Sequence, residues 1–379
     1  MPLYRLAKAA EHAVNIEWMR GKLQAFRADP TCPGHILSRL DQEFQKAEQA
    51  LGLLNLAASI SGLEDDADSL SKNLDGYFQI TAVHYVAGLE RQTALEAELR
   101  QVLLNACGRL SLNWIQDMLV RLSDHLAIYP IYRQGLDMPV FYGPPNLLES
   151  FLSLAGIYHE LGHSVFLVDK EFLIQLTVEV KTYFDDEKAK LGPMTPELHA
   201  RMVADIDDAA RYWDDLRLAE IFCDLFGSYV CGPANVISVM DLAMARGLPP
   251  TELISDYPPN AVRVWACHHI LSVVQKTQPL LEEAFADWEA YESKFAVTPN
   301  YGKYCPPVLV QRLADKTADL IINRLGTPRY GNLLPSLADA RAVQAGINLE
   351  DLLNAGAVVL LEAPSEFDAW RRATRPLVA

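Results

Sequence analysis

The chain has 379 residues, half of them hydrophobic and 22% charged, a balance that excludes a disordered chain and supports a sizeable core in two or three domains, or in one domain with large additions. Its formal net charge of −16 argues against nucleic acid and anionic membrane surfaces as partners. No run of about 18 apolar residues predicts a membrane-spanning helix, the first residues have no apolar leader core, and the six scattered cysteines form no C-x-x-C pair, a pattern expected of reduced thiols in a cytoplasmic protein.

Residues 3–126 read as mostly helical. A first helix is expected near 3–27, and Ile36, Leu40, Phe44, Ala47 and Leu51 form the stripe of a second, with Pro30 and Pro33 between them. A further pair is expected over about 80–107 and 110–126, separated by Gly108 and the turn signals Ser111-Leu112-Asn113. The acidic run Glu64-Asp65-Asp66-Ala67-Asp68 lacks the glycine-centred spacing of a calcium loop and reads as a solvated loop or helix start.

The texture then changes. Leu126–Tyr132 and Pro139–Tyr142 are short, aromatic and β-branched, which predicts two strands, with Pro130 pointing to an edge strand or a bulge. An exposed strand edge can hold an extended peptide by main-chain hydrogen bonds; a plain hairpin capping a small sheet is the alternative. Asn146, with Glu149 three residues on, is expected to cap the next helix.

That helix, carrying Leu148, Leu152, Ala155 and Tyr158, is apolar almost all round, so it is expected to be buried. It contains His159-Glu160-Leu161-Gly162-His163, a complete H-E-x-x-H. Histidines four apart lie on one helical face. That spacing lets two imidazoles bind one Zn²⁺, with Glu160 beside the ion as a general base. A lone histidine there would read as a core residue, but a carboxylate buried on the same turn needs a cation or a donor.

Residues 169–211 are charged and helix-prone, broken at Gly192–Pro196, and read as an insertion in which His199 is a surface residue. The next helix opens at Asp214 or Asp215 and carries Glu220 and Asp224 on one side of an apolar stripe. Two carboxylates on a buried face repel unless something positive meets them. Zinc on Glu220, with Asp224 accepting the N–H of a ligand histidine, resolves that conflict; pairing with Arg217 or another arginine is the alternative.

Gly227 and Cys231-Gly232-Pro233 predict a close contact and a helix stop, followed by a helix over 234–248. Asp256-Tyr257-Pro258-Pro259-Asn260 is a rigid lead into a helix carrying Arg263, His268 and His269. Tyr257 and Arg263 can each donate to a developing oxyanion; alternatively Arg263 anchors Glu220 or Asp224 and Tyr257 packs. His268 and His269 are weaker candidates. Helices near 308–325 and 335–346 and two short ones in 349–379 complete the chain, the last placing Trp370 on the body.

The H-E-L-G-H and the later E-I-F-C-D-L-F-G together resemble the gluzincin zinc metallopeptidases over about residues 124–275. The resemblance implies that His159, His163 and Glu220 bind zinc, that Glu160 is the catalytic base and that Asp224 buttresses the first histidine. Two branches are nearest. In the membrane prenyl-protein endopeptidases a later H-P…R segment would align with Tyr257-Pro258…Arg263, with tyrosine in the histidine's place. In small soluble metallopeptidases acting on phage-type repressors the second helix has alanine where Cys223 stands here.

The expectation is a mostly α protein with an α+β zincin core. It comprises a helical region 1–123, a metallopeptidase core 124–300 with the insertion 169–211, and a helical region 301–379. The expected activity is hydrolysis of a protein or peptide substrate, with the N-terminal helices offering a docking surface for a regulatory partner. The alternative is a non-catalytic zincin-fold binding protein with a structural metal.

Overall fold

The computed structural model describes residues 2–29, 34–60, 63, 66–67, 69–74, 94–115, 118–123, 126–129, 139–144, 147–149, 151–245, 248–254, 256–274, 278–325, 334–344 and 346–378. The expected features at Pro30, Cys32, Pro33, Glu64, Asp65, Asp68, 80–93, Pro130–Tyr132, Asn146 and Gly247 lie outside the described residues. The fold is mostly helical with one small three-stranded sheet. No helix among the described residues is long and apolar enough to cross a membrane.

The chain divides into two compact units. The first comprises residues 1–100, 114–122 and 129–142. Its long helices α1 (Pro2–Ala28) and α2 (Gly34–Ser59) pack along the expected stripe. Ile16, Met19, Leu23 and Phe26 meet Leu40, Phe44, Ala47 and Leu54 in one buried cluster.

Helix α3 (Ala94–Arg109) ends where the turn signals predicted. Ser111 takes φ 57°, its N–H donates to the carbonyl of Gly108, and that of Leu112 donates to the carbonyl of Cys107. This is a Schellman closure, which ties off the last carbonyls of the helix. The helix expected over 110–126 does not follow. Residues 119–122 instead form strand β1 (Leu119–Leu122). The run Met118-Leu119-Val120 is short and bounded by turns, and apolar runs of that length do not distinguish strand from helix by periodicity.

The other strands are β2 (Ala127–Tyr129) and β3 (Val140–Gly143), where two were expected. The sheet order is β1-β3-β2, so β2 is an edge strand.

The second unit comprises residues 101–113, 123–128 and 143–379. Its centre is α4 (Phe151–Val168), preceded by a 3₁₀ turn at Leu147–Glu149. Leu154, Ala155, Ile157, Tyr158, Leu161 and Val165 of α4 are all buried, as its apolar circumference demands. The stretch 169–211, expected as an insertion, forms the helix pair α5 (Lys170–Ala189) and α6 (Pro196–Tyr212). Asp169 caps α5 by accepting from the Glu171 N–H, and Thr195 caps α6 by accepting from the Leu198 N–H.

Helix α7 (Asp215–Cys231), capped by Asp214, returns the chain against α4. It stops at Gly232, whose φ of 80° and ψ of −149° suit only glycine, and Pro233 opens α8 (Pro233–Ala245). Helices α9 (Asn260–Val274) and α10 (Pro279–Glu292) share a core with α8 through Val236, Met240, Val264, Leu271 and Trp288. The unit is completed by α11 (Tyr301–Tyr304), α12 (Pro307–Leu325), α13 (Leu337–Arg341), α14 (Leu349–Glu362) and α15 (Pro364–Thr374). Trp370 docks α15 as expected: it is buried, and its Nε1–H donates to the carbonyl of Ala340 at 2.7 Å.

Candidate metal centre

Two helices make the centre, and a glycine lets them meet. A β-carbon built on Gly162 would lie 3.0 Å from Cα of Cys223 and 3.2 Å from Cδ1 of Phe226. The middle of the H-E-x-x-H therefore rests directly on the backbone of α7. His159 and His163 flank that point on α4, with ring centroids 5.0 Å apart and edge to face. Glu220 comes in from α7: His159 Nε2 is 3.3 Å from its Oε2 and His163 Nε2 is 3.5 Å from its Oε1.

One donor atom from each of these residues lies within 4.8 Å of the others. The Oε2 of Glu220 is buried yet has no hydrogen-bond partner. Two imidazole nitrogens and a carboxylate with an unsatisfied buried oxygen fit a divalent metal ion of the N/O-ligand type. All three side chains keep some exposure, 14% for His159 and Glu220 and 21% for His163.

Asp224 stands one turn from Glu220 and is fully buried. Its Oδ1 lies 2.8 Å from Nδ1 of His159. A proton on Nδ1 leaves the Nε2 lone pair facing Glu220 and the cluster. From α9, Arg263 grips the same carboxylate with two bonds, Nε–H to Oδ2 at 2.5 Å and Nη2–H to Oδ1 at 2.8 Å. The repulsion expected between Glu220 and Asp224 is thus relieved from two sides. Arg217 takes no part in this pair: it binds Asp214 and the carbonyls of Tyr212 and Ile254.

The titration of the side chains follows from these contacts. Burial opposes the charge of His159, but the hydrogen bond and negative charge of Asp224, with help from Glu220 and Glu160, lift it to about 10. Burial and the neighbouring His159 push His163 down to about 4. Burial raises Glu160, against the pull of His159 and of a backbone N–H. Burial works against the Asp224 anion, yet Arg263 and His159 hold it well below the usual carboxylate range.

That backbone N–H belongs to Ile128 of β2, which donates to Oε2 of Glu160 at 2.8 Å. Glu160 is only 8% exposed. The guanidinium carbon of Arg263 lies 5.6 Å from the ring centroid of Tyr257, so these two candidates are neighbours. His268 and His269 are not brought to the cluster; their Nε2 atoms lie 3.0 Å from Glu282 and 2.8 Å from Asp315.

Sequence reasoning missed several residues. Gly162 had a signal, since a glycine inside an apolar helix marks close approach. Asn235 had none: its Nδ2 donates to Ser228 Oγ at 3.0 Å, and its side chain fills the space left by Gly227. On the H-E-x-x-H helix, Tyr158 donates to Glu350 at 2.6 Å and the half-buried Arg109 donates to both, a trio drawn from α4, α14 and α3. Nothing in the spacing of those three announces the meeting.

No protein-family model matches the chain, and neither curated proteins nor solved structures give a significant match to it.

Proposed function

We propose that the protein is a zinc-dependent peptide hydrolase of the gluzincin type, acting in the cytoplasm on protein or peptide substrates. One observation carries the reading: His159, His163 and Glu220 converge within 4.8 Å from two helices, with Glu160 adjoining and Asp224 on the back of His159. A zinc ion held by these three side chains supplies Lewis acidity toward water and a peptide carbonyl.

The chain's own groups do the rest. Glu160 takes a proton from water and passes it to the leaving amine, and its raised pKa brings it toward the working range of a general base. Asp224 fixes the tautomer and direction of His159, and Arg263 keeps Asp224 ionised. Arg263 is committed to Asp224, so its neighbour Tyr257 is the remaining candidate to steady the oxyanion. The edge of β2 beside Glu160 supplies a rail for an extended substrate. The long helices α1 and α2 offer a docking surface for a regulatory partner.

The competing reading is a binding protein with a structural ion. Structural zinc sites are usually closed by four protein ligands, whereas catalytic sites use three and leave a position open. Among the described residues the group has three ligands, all with some exposure, which favours catalysis.

The test pairs metal analysis with degradomics. Wild type and Glu160→Gln should each retain one zinc per chain, and only wild type should generate new peptide termini in a proteome digest. Undiminished cleavage by Glu160→Gln would sink the mechanism, and a protein that takes up no zinc would sink the class.

A further inference from the structure

The structure points to a role for strand β2 in setting the catalytic base, beyond lining a substrate. Ile128 is 6% exposed and lies on an edge strand, and its N–H donates to the Glu160 side chain. We propose that the main-chain amide of Ile128 is the positioning donor for Glu160. It pins Oε2 and leaves Oε1, which takes no hydrogen bond among the described residues, as the oxygen that handles the proton. The inference rests on the hydrolase reading of the site.

The physical case has three parts. A buried carboxylate needs partners, and a neutral amide can stabilise one oxygen without neutralising the charge the base requires. A backbone donor on a hydrogen-bonded strand has little freedom, so it holds the carboxylate more narrowly than a long side chain would. In an extended strand the N–H and C=O of one residue project to the same edge. The carbonyl of Ile128 therefore faces the same side as its tethering N–H. A peptide pairing along that edge is placed in register with the base by the residue that holds the base.

The experiment reads the contact and the chemistry separately. Amide exchange at Ile128 is followed by NMR on isoleucine-labelled, zinc-loaded protein. Removing the acceptor in Glu160→Ala should speed exchange of this amide about tenfold or more, as expected for a lost hydrogen bond to a charged group. Glu160→Gln retains an acceptor oxygen and should keep exchange near the wild-type rate. In a second arm, the amide at position 128 is replaced by an ester, which removes the N–H and keeps the side chain. With labelled casein as probe, kcat should fall about ten- to a hundredfold while KM and zinc content hold.

Indifference of Ile128 exchange to Glu160→Ala, or wild-type kcat in the ester protein, overturns the proposal. Absence of casein cleavage by the wild-type zinc protein counts against the peptidase reading instead, and the exchange arm then decides the contact by itself.

Discussion

Gly162 and Cys223 hold the two helices of the candidate metal centre in close contact: a β-carbon on the glycine would lie 3.0 Å from the cysteine's Cα. The obstacle is backbone, which cannot swing aside as a flexible side chain can. Gly162→Ala should therefore push α4 from α7 by a few tenths of an ångström and cost about 1–3 kcal/mol. Because the histidines and Glu220 lie on opposite sides of that seam, zinc affinity should fall with stability. Thermal unfolding and competition with a zinc chelator measure the two. An alanine variant with unchanged affinity would show that the seam does not govern the site.

Asp224 and Arg263 form a bidentate pair with almost no exposure. Removing either partner leaves the other charge buried and unmatched, a loss of about 3–5 kcal/mol. Arg263→Met and Asp224→Asn should both be destabilised on this scale in urea. Asp224→Asn should in addition lose about 10- to 100-fold in zinc affinity, since His159 loses the acceptor that orients it. Equal zinc affinity in Asp224→Asn and wild type would remove Asp224 from the metal's support.

The pH dependence of metal uptake follows from the two histidines. Without metal, His159 sits at about 10 and His163 at about 4, so at neutral pH the first carries a proton and the second does not. Zinc must displace that proton, and uptake at pH 7 should release about one proton from the ligands. Calorimetry in two buffers of different ionisation enthalpy counts it. In the metal-free protein a folded pKa above the unfolded value of about 6.5 stabilises the fold fully below that value. The contribution then drains away as pH rises toward 10. A release count near zero at pH 7 would contradict the charge state assigned to His159.

Glu350 is fully buried and depends on Arg109 and Tyr158 for its partners. Tyr158→Phe deletes one charge-assisted hydrogen bond, worth about 1.5–3 kcal/mol. Arg109→Met leaves the carboxylate without its cation and should cost more, about 3–5 kcal/mol. The double change Arg109→Met with Glu350→Leu should recover part of that loss. Non-recovery would mean the arginine acts through packing and not through charge.

Legibility in the sequence followed the range of each signal. The pairs His159/His163 and Glu220/Asp224 were readable because each repeats at one helical turn, and caps such as Asp214 were readable because they act over three residues. The strand at Leu119–Leu122 reads as helix in the sequence because the short apolar run Met118-Leu119-Val120 carries no decisive period. The amide of Ile128, the Arg263 grip on Asp224 and the Arg109–Glu350 pair join residues 32, 39 and 241 positions apart. For Arg263 the choice between anchoring a carboxylate and facing a substrate stayed open until the distances were known.

The excursion through α5 and α6 separates the two halves of the centre along the chain, and its turn at Leu191–Pro196 lies largely at the surface. A nick there would leave His159, Glu160 and His163 on one fragment and Glu220, Asp224 and Arg263 on the other. Neither piece alone could bind an ion with three ligands. Fragments split at this turn would recover the site only on reassociation, making the protein a natural candidate for a two-part sensor whose metal reports that the halves have met.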